Sequence, residues 1–356
     1  MSHCTIHNSY MKHSSNSVLN SLSSSSLQDT PILKWANLSY SSKLTNLLGL
    51  SNAKNLERLN LEGCTSLLKL PQEMENMKSL VFLNMRRCTS LTCLQSIKVS
   101  SLKILILSDC SKLEEFEVIS ENLEELYLDG TAIKGLPPAA GDLTRLVVLN
   151  MEGCTELESL PKRLGKQKAL QELVLSGCSK LESVPTDVKD MKHLRLLLLD
   201  GTRIRKIPKI KSLKCLCLSR NIAMVNLQDN LKDFSNLKCL VMKNCENLRY
   251  LPSLPKCLEY LNVYGCERLE SVENPLVADR LTLFLDRSEE LRSTFLFTNC
   301  HNLFQDAKDS ISTYAKWKCH RLAVECYEQV SLSLSLSLSL SLSIYIYIFL
   351  FIAVVL

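Results

Sequence analysis

The 356-residue sequence is long for one compact core, and with 46% hydrophobic and 22% charged residues most of it should fold. Aromatic residues make up only 6%, so leucine must supply most of the buried area. The formal net charge is +5 and basic residues are interleaved with acidic ones, which disfavours binding to nucleic-acid phosphates.

Residues 1–30 are rich in serine and poor in apolar side chains, which predicts a disordered leader. They hold no basic segment followed by an apolar one, as a secretory signal would. The sixteen cysteines are therefore expected to be free thiols in a reducing compartment, cytoplasmic or nucleocytoplasmic.

One pattern recurs through residues 31–273: L-x-x-L-x-L-x-x-(Cys/Thr/Asn)-x-x-L-x-x-L-Pro. About eleven copies follow one another at a spacing of roughly 20 residues. The copies start at Leu33, Leu56, Leu80, Leu102, Leu123, Leu146, Leu170, Leu194, Leu213, Leu237 and Leu258. This period predicts an α/β solenoid, a leucine-rich-repeat horseshoe with a parallel β-sheet on its concave side.

Within each copy, the last two leucines of L-x-x-L-x-L alternate with one residue between them, which is strand periodicity. The leucines should point into the solenoid and the residues beside them outward. The proline that ends many copies, such as Pro71, forbids further strand pairing. Residues 72–78 should therefore form a short irregular or 3₁₀ arc, with Met74 and Met77 packing inward.

The position after L-x-x-L-x-L-x-x calls for a small side chain at a sharp bend, where a polar group can satisfy backbone atoms. It is occupied by Cys64, Cys88, Cys110, Cys154, Cys178, Cys245 and Cys266, and by Thr131, Thr202 and Asn221. No zinc-type C-x-x-C pair occurs, so we expect no metal. Redox sensing by Cys93, Cys239 or Cys257 stays an open alternative without support in the sequence.

The sequence contains no phosphate-binding loop, dinucleotide fingerprint, nucleophile elbow or H-E-x-x-H motif, so we expect neither catalysis nor a cofactor. The outward strand positions instead vary strongly from copy to copy, which suggests protein binding. The partner-binding candidates are Arg58, Asn60, Arg86, Tyr127, Asp129, Glu152, Asp200, Lys243, Tyr260 and Tyr264. A partner protein and a neighbouring domain of a longer parent protein are equally good occupants of this face.

The segments "LNLEGCTSLLKLP" at 59–71 and "LYLDGTAIKGLP" at 126–137 resemble the repeats of plant disease-resistance proteins. The resemblance, which covers about residues 31–329, is to the class with a Toll/interleukin-1-receptor domain, a nucleotide-binding switch and leucine-rich repeats. It implies that the repeats sense pathogen effectors, or a guarded host protein, and restrain the switch. No catalytic residue carries over.

Two segments follow the repeats. "FLFTNCHNLFQDA" at 295–307 is similar to the start of the jelly-roll/Ig-like domain of these receptors, which predicts a partial domain over 274–329. Residues 330–356 form a low-complexity Ser-Leu and apolar tail, either a translated microsatellite or a C-terminal membrane anchor.

The sequence as a whole predicts the leucine-rich-repeat recognition module of a plant innate-immune receptor, acting in defence signalling. The alternative is a truncated receptor-like fragment or pseudogene product that has no sensing role.

Overall fold

The computed structural model describes residues 5–7, 33–47, 50, 53–95, 98–117, 120–227, 231–273 and 294–312. The tail 330–356 and most of the leader and of the post-repeat segment lie outside these residues. The chain divides into two compact units, Met1–Leu213 and Lys214–Leu356. Each is built mainly from stacked parallel strands, so the predicted leucine-rich-repeat solenoid is confirmed.

In the first unit each predicted copy contributes one strand to the main sheet, and the copies that start at Leu80 and Leu102 hold a second, shorter strand. Its strands are β1 Thr5–His7, β2 Trp35–Asn37, β3 Arg58–Asn60, β4 Phe82–Asn84, β5 Cys93–Leu94, β6 Ile104–Ile106, β7 Glu115–Phe116, β8 Glu125–Tyr127, β9 Val148–Asn150, β10 Glu172–Val174 and β11 Leu196–Leu198. The main sheet runs β1-β2-β3-β4-β6-β8-β9-β10-β11, and β5 pairs with β7 in a separate short sheet.

Strand β1 lies within the predicted disordered leader and pairs antiparallel with β2, Ile6 opposite Ala36. This is a difference from the expectation for residues 1–30. Its physical reason is that the first strand of the stack leaves a row of unpaired backbone groups, which an added strand can satisfy.

The second unit repeats the architecture with β12 Cys215–Cys217, β13 Cys239–Val241, β14 Tyr250–Leu251, β15 Tyr260–Asn262, β16 Ser271–Val272 and β17 Thr294–Leu296. Strands β12, β13, β15 and β17 are neighbours in one sheet, and β14 pairs with β16. Because β17 pairs in parallel with β15, the stack continues beyond the predicted boundary at residue 273. Residues 305–312, after the last strand, are helical.

The arcs that follow the strands are short 3₁₀ helices. They span Gln72–Asn76, Pro138–Asp142, Leu164–Lys166, Thr186–Asp190 and Leu231–Asp233. Pro71 precedes the first arc in an extended conformation, as its fixed φ and missing N–H require. Met74 and Met77 are 0% and 1% exposed, which confirms their predicted inward packing.

In each unit the core is a column of inward side chains, most of them leucines, with one from each strand of the main sheet. Leu59, Leu83 and Leu105 occupy matching register positions on β3, β4 and β6, and each is fully buried. Burying one such side chain stabilises the fold by roughly 1.5–3 kcal/mol. A single turn must also order about twenty residues at roughly 1–2 kcal/mol each, so it depends on its neighbours for stability.

From β2 onward, a residue with left-handed backbone conformation follows each three-residue strand by three positions and starts the bend. Its N–H donates to a carbonyl of the next turn, as Gly153 does to Ser176 over 2.7 Å. Glycine adopts the required positive φ without strain, and six turns use it. The remaining turns hold non-glycine residues there with φ between 54° and 60°, namely Tyr40, Arg87, Asp109, Arg220, Asn244 and Asn299.

The bend cysteines form a ladder of thiol–carbonyl hydrogen bonds between turns. Cys154 donates to the Leu128 carbonyl and Cys178 to the Met151 carbonyl, at 3.1 and 3.2 Å. The same bond, with Sγ–O distances of 3.0–3.3 Å, is made by Cys64, Cys88, Cys110, Cys245, Cys266 and Cys300. The predicted role of this position is confirmed, and Cys300 extends the ladder.

The bends without cysteine differ in the carbonyl that accepts the hydrogen bond of the bend side chain. Thr131, Thr202 and Asn221 donate to the carbonyl three residues earlier in their own turn, at 2.7, 2.8 and 2.9 Å. The hydroxyl of Thr131 also lies 3.3 Å from the Cys154 sulfur. Cysteine, with its longer bonds to sulfur, instead reaches back to the previous turn and links two turns.

To test the strand register, we compare Leu149→Asn with its neighbour Val148→Asn. Leu149 is fully buried between Leu126 and Leu173, whereas Val148 is half-exposed. An unpaired amide at Leu149 should lower the free energy of unfolding by roughly 3–5 kcal/mol, and at Val148 by less than about 1 kcal/mol. Equal midpoints in urea unfolding followed by circular dichroism would contradict the register.

The ladder also predicts a pH dependence, measured with Cys110→Ala. Burial raises the pKa of the Cys110 thiol to about 12. Because the unfolded thiol ionises near its ordinary value of 9.0, the stability that Cys110 contributes is complete below pH 9 and is lost between pH 9 and 12.

Cys110→Ala removes the bond to the Met85 carbonyl and should cost about 1 kcal/mol at pH 7. That deficit should shrink by up to about 1.4 kcal/mol per pH unit above pH 9. Urea unfolding at pH 7 and pH 10 measures both values, and a pH-independent deficit would show that the thiol is not held protonated.

Candidate functional site

The strand face of each unit consists of the outward side chains of its parallel strands and of the second residue after each strand. Along the strands, a buried central residue lies between two at least partly exposed ones, as at β9 and β10. All ten sequence-predicted candidates are at least partly exposed on the strand face of their own unit. Seven belong to the first unit, and Lys243, Tyr260 and Tyr264 belong to the second.

At the start of the first unit, Arg58 stacks on an aromatic ring of the next strand. The guanidinium carbon lies 4.5 Å from the centroid of the Phe82 ring, its register partner. A cation over a ring face is stabilised by roughly 0.5–1 kcal/mol at an exposed site. Arg58 itself remains exposed.

Arg86 is paired with a carboxylate of the next turn. Its Nε and Nη2 both donate to Oδ2 of Asp109, at 3.2 and 3.1 Å. Arg87 lies 3.5 Å from the same oxygen. The hydrogen bond and the charge of Asp109 raise the pKa of Arg86, so this guanidinium stays charged at any physiological pH.

Tyr127 is positioned by a carboxylate of its own strand. Its hydroxyl donates to Glu125 Oε2 over 2.9 Å. Burial and this hydrogen bond to a carboxylate raise the pKa of Tyr127 to about 12, so the ring presents a neutral hydroxyl.

Serines of the preceding turns orient two of the candidate aspartates. Ser108 donates to Asp129 Oδ1 over 2.7 Å, and Ser176 donates to Asp200 Oδ1. Both serines are buried, whereas the two aspartates are partly exposed. Each carboxylate is therefore fixed by a buried hydroxyl and still accessible to solvent. With neighbouring glutamates they form the acidic group of the strand face, namely Glu125, Asp129, Glu152, Glu172 and Asp200.

Asn60 has a structural role beside its place on the strand face. Its Oδ1 accepts the N–H of Glu62 over 3.1 Å. Asn84 and Asn150 make the same bond to the residue two positions ahead, at 2.9 and 3.0 Å. Asparagine at this position therefore satisfies a backbone N–H where the strand ends.

In the second unit two tyrosines lie beside the last strands. Tyr260 accepts a hydrogen bond from the Asn262 amide at 3.0 Å, and Tyr264 accepts one from Asn299 at 3.1 Å. Asn262 itself is only 4% exposed, although the alternation placed it outward. Tyr264 is 42% exposed and Lys243 is exposed, so both side chains are accessible at the surface.

Several contributors were not among the predicted site residues. Phe82, Asp109 and Glu125 support Arg58, Arg86 and Tyr127. One of these pairs could have been predicted from the sequence, because aligning the repeats places Arg58 directly opposite Phe82. The support of Asp129 and Asp200 by serines depends on side-chain rotamers, for which the pattern contains no signal.

The described residues contain no group of three or more His, Cys, Asp or Glu side chains arranged to hold a metal ion. None of the helices in the described ranges is both long enough and apolar enough to cross a bilayer.

Comparison with known proteins identifies close relatives in Arabidopsis thaliana. Disease resistance protein LAZ5 is 99% identical over 303 residues, which are 85% of this chain and 26% of that protein. Disease resistance-like protein CSA1 is 57% identical over 296 residues, 83% of this chain and 24% of that protein. The chain therefore spans about a quarter of the length of these relatives. No protein-family model matches it.

Among solved structures, the functional domain of InlJ from Listeria monocytogenes, which includes a cysteine ladder, has a TM-score of 0.50. The match covers 76% of this chain and 63% of that domain at 17% sequence identity. At this identity the likeness supports the leucine-rich-repeat fold alone.

The Arg86–Asp109 pair should contribute little to stability, because its side chains are 44% and 42% exposed. In a double-mutant cycle of Arg86→Gln and Asp109→Asn, we expect a coupling energy of at most about 1 kcal/mol that falls as salt is added. Asparagine tolerates the positive φ at position 109. A coupling energy of several kcal/mol that is insensitive to salt would contradict this and show that the pair stabilises the stack of turns.

Proposed function

This chain belongs, over its repeat region, to the plant disease-resistance proteins, and from that premise we propose that it is the recognition module of an innate-immune receptor. Its strand face would contact a pathogen effector or a guarded host protein. The same face would contact the nucleotide-binding portion of a parent receptor and restrain its switch. This activity is recognition rather than catalysis, in the cytoplasm or in both cytoplasm and nucleus.

The observation that carries this proposal is the contrast between a constant frame and a varied face. The inward positions hold leucine or another apolar residue from turn to turn. The bend keeps a small or polar residue, which is Ser41 in the first copy and a cysteine, threonine or asparagine in the others. The strand face changes from arginine and phenylalanine at β3 and β4 to isoleucine at β6 and acidic residues further on. Outward residues do not take part in stacking, so their identity can vary to complement the surface of a partner.

The strand face of the first unit also suggests the chemistry of that partner. The acidic group lies beside apolar side chains such as Ile106, Val174 and Leu198, which are partly exposed. Interfaces of this composition favour an apolar centre with complementary charge around it. The contacting surface of the partner is therefore expected to be basic around an apolar patch.

The restraint is tested with two polypeptides in trans. The full chain is mixed with the part of the 99% identical Arabidopsis relative that lies outside the matched region, and affinity is measured by calorimetry. Tyr127→Ala and Asp200→Ala remove exposed groups without touching the leucine column. Each should weaken binding about tenfold, because an aromatic anchor or a charged contact is typically worth over 1 kcal/mol.

The matched control is Lys162→Ala, an exposed side chain directly after Pro161 and outside the strand face. It should bind as tightly as the unaltered chain. No measurable binding by the unaltered chain, or equal affinity in all variants, would contradict contact through the strand face.

A further inference from the structure

Two cysteines outside the bend position meet on the strand face of the second unit. Cys215 is the first residue of β12 and Cys239 the first residue of β13. Both are partly exposed free thiols, whereas the bend cysteines are buried. Neither thiol contributes to the leucine column or the ladder, so the frame does not account for them.

The register places these two residues side by side. Cys215 and Cys239 are direct partners in the parallel pairing of β12 and β13. Adjacent strands lie about 4.7–4.9 Å apart, within the Cα separation of roughly 4.4–6.8 Å that disulfides span. Side chains at paired positions of neighbouring strands leave the sheet on the same side, so the two thiols are neighbours.

Their proximity makes the two thiols unequal. The interaction between the two side chains lowers the pKa of Cys239 and raises the pKa of Cys215. Cys239 is therefore the thiol that ionises first, and Cys215 stays protonated beside it. In the bend thiols burial has the opposite effect, raising the pKa of Cys178 to about 12.

We propose that Cys215 and Cys239 form an oxidisable dithiol on the strand face, which a peroxide converts into a disulfide between neighbouring turns. The Cys239 thiolate attacks one peroxide oxygen, the O–O bond breaks, and hydroxide leaves as Cys239 becomes a sulfenic acid. The Cys215 sulfur then attacks the Cys239 sulfur, the S–O bond breaks, and water leaves with the Cys215 proton. Two thiols are oxidised by two electrons and one peroxide is reduced.

The third thiol on this face, Cys217, is not the partner. The residue opposite Cys217 on β13 is Val241, so no thiol faces it across the strands. Its sulfur instead lies 3.4 Å from the Ser219 hydroxyl. The disulfide would thus join one defined pair and covalently link the turns that carry β12 and β13.

The test treats the full chain with hydrogen peroxide, blocks remaining thiols and maps the tryptic peptides. Cleavage after Lys214 and Lys238 releases Cys215 in peptide 215–220 and Cys239 in peptide 239–243. We expect these two peptides to become linked with loss of two thiols per chain. The rate should rise with pH as the Cys239 thiol, whose pKa is lowered, ionises.

Cys215→Ser and Cys239→Ser should abolish the linked peptide, while the matched control Cys217→Ser should keep it. Urea unfolding of each variant shows that it is folded. A link through Cys217, overoxidation of Cys239 to sulfinic acid without a link, or earlier oxidation of the bend cysteines in the unaltered chain would overturn the proposal.

Discussion

The whole structure depends on the fact that one turn cannot bury its own apolar side chains. Leu149 is fully buried only because Leu126 and Leu173 lie against it from the turns on either side. Each turn needs the same inward side chains in the same register, so the frame is repetitive by physical necessity. The thiol–carbonyl ladder follows the same logic, since Cys154 satisfies a carbonyl that belongs to the turn before it.

The sequence predicted the elements whose cause is local. Leucine alternation predicted the strands, Pro71 predicted an arc with buried Met74 and Met77, and the bend cysteines were correctly interpreted as part of the frame. Features that depend on one turn meeting another were not predicted. The alignment of Arg58 with Phe82 requires the register, the strand at Thr5–His7 requires an open sheet edge, and the burial of Asn262 depends on what packs around it.

The division between frame and strand face also organises the functional proposals. The stack of turns is stabilised by the leucines, the bend residues and the amide oxygen of Asn60. The outward side chains are therefore available for recognition. Several of these are held in place by neighbouring turns, as Ser108 holds Asp129 and Glu125 holds Tyr127. Such support reduces the conformational entropy that binding would cost. The pair Cys215–Cys239 arises from the same stacking, which brings one position of consecutive turns together.

Neighbouring turns should be stable only together. Native-state hydrogen exchange of the first unit tests this dependence most directly. The amides to follow are those of Gly130, Gly153 and Gly177, each of which donates to a carbonyl of the next turn. With increasing urea below the unfolding transition, the three opening free energies should converge on one common value. If each amide instead opened with its own free energy and its own urea dependence, the turns would be independent and the account would be contradicted.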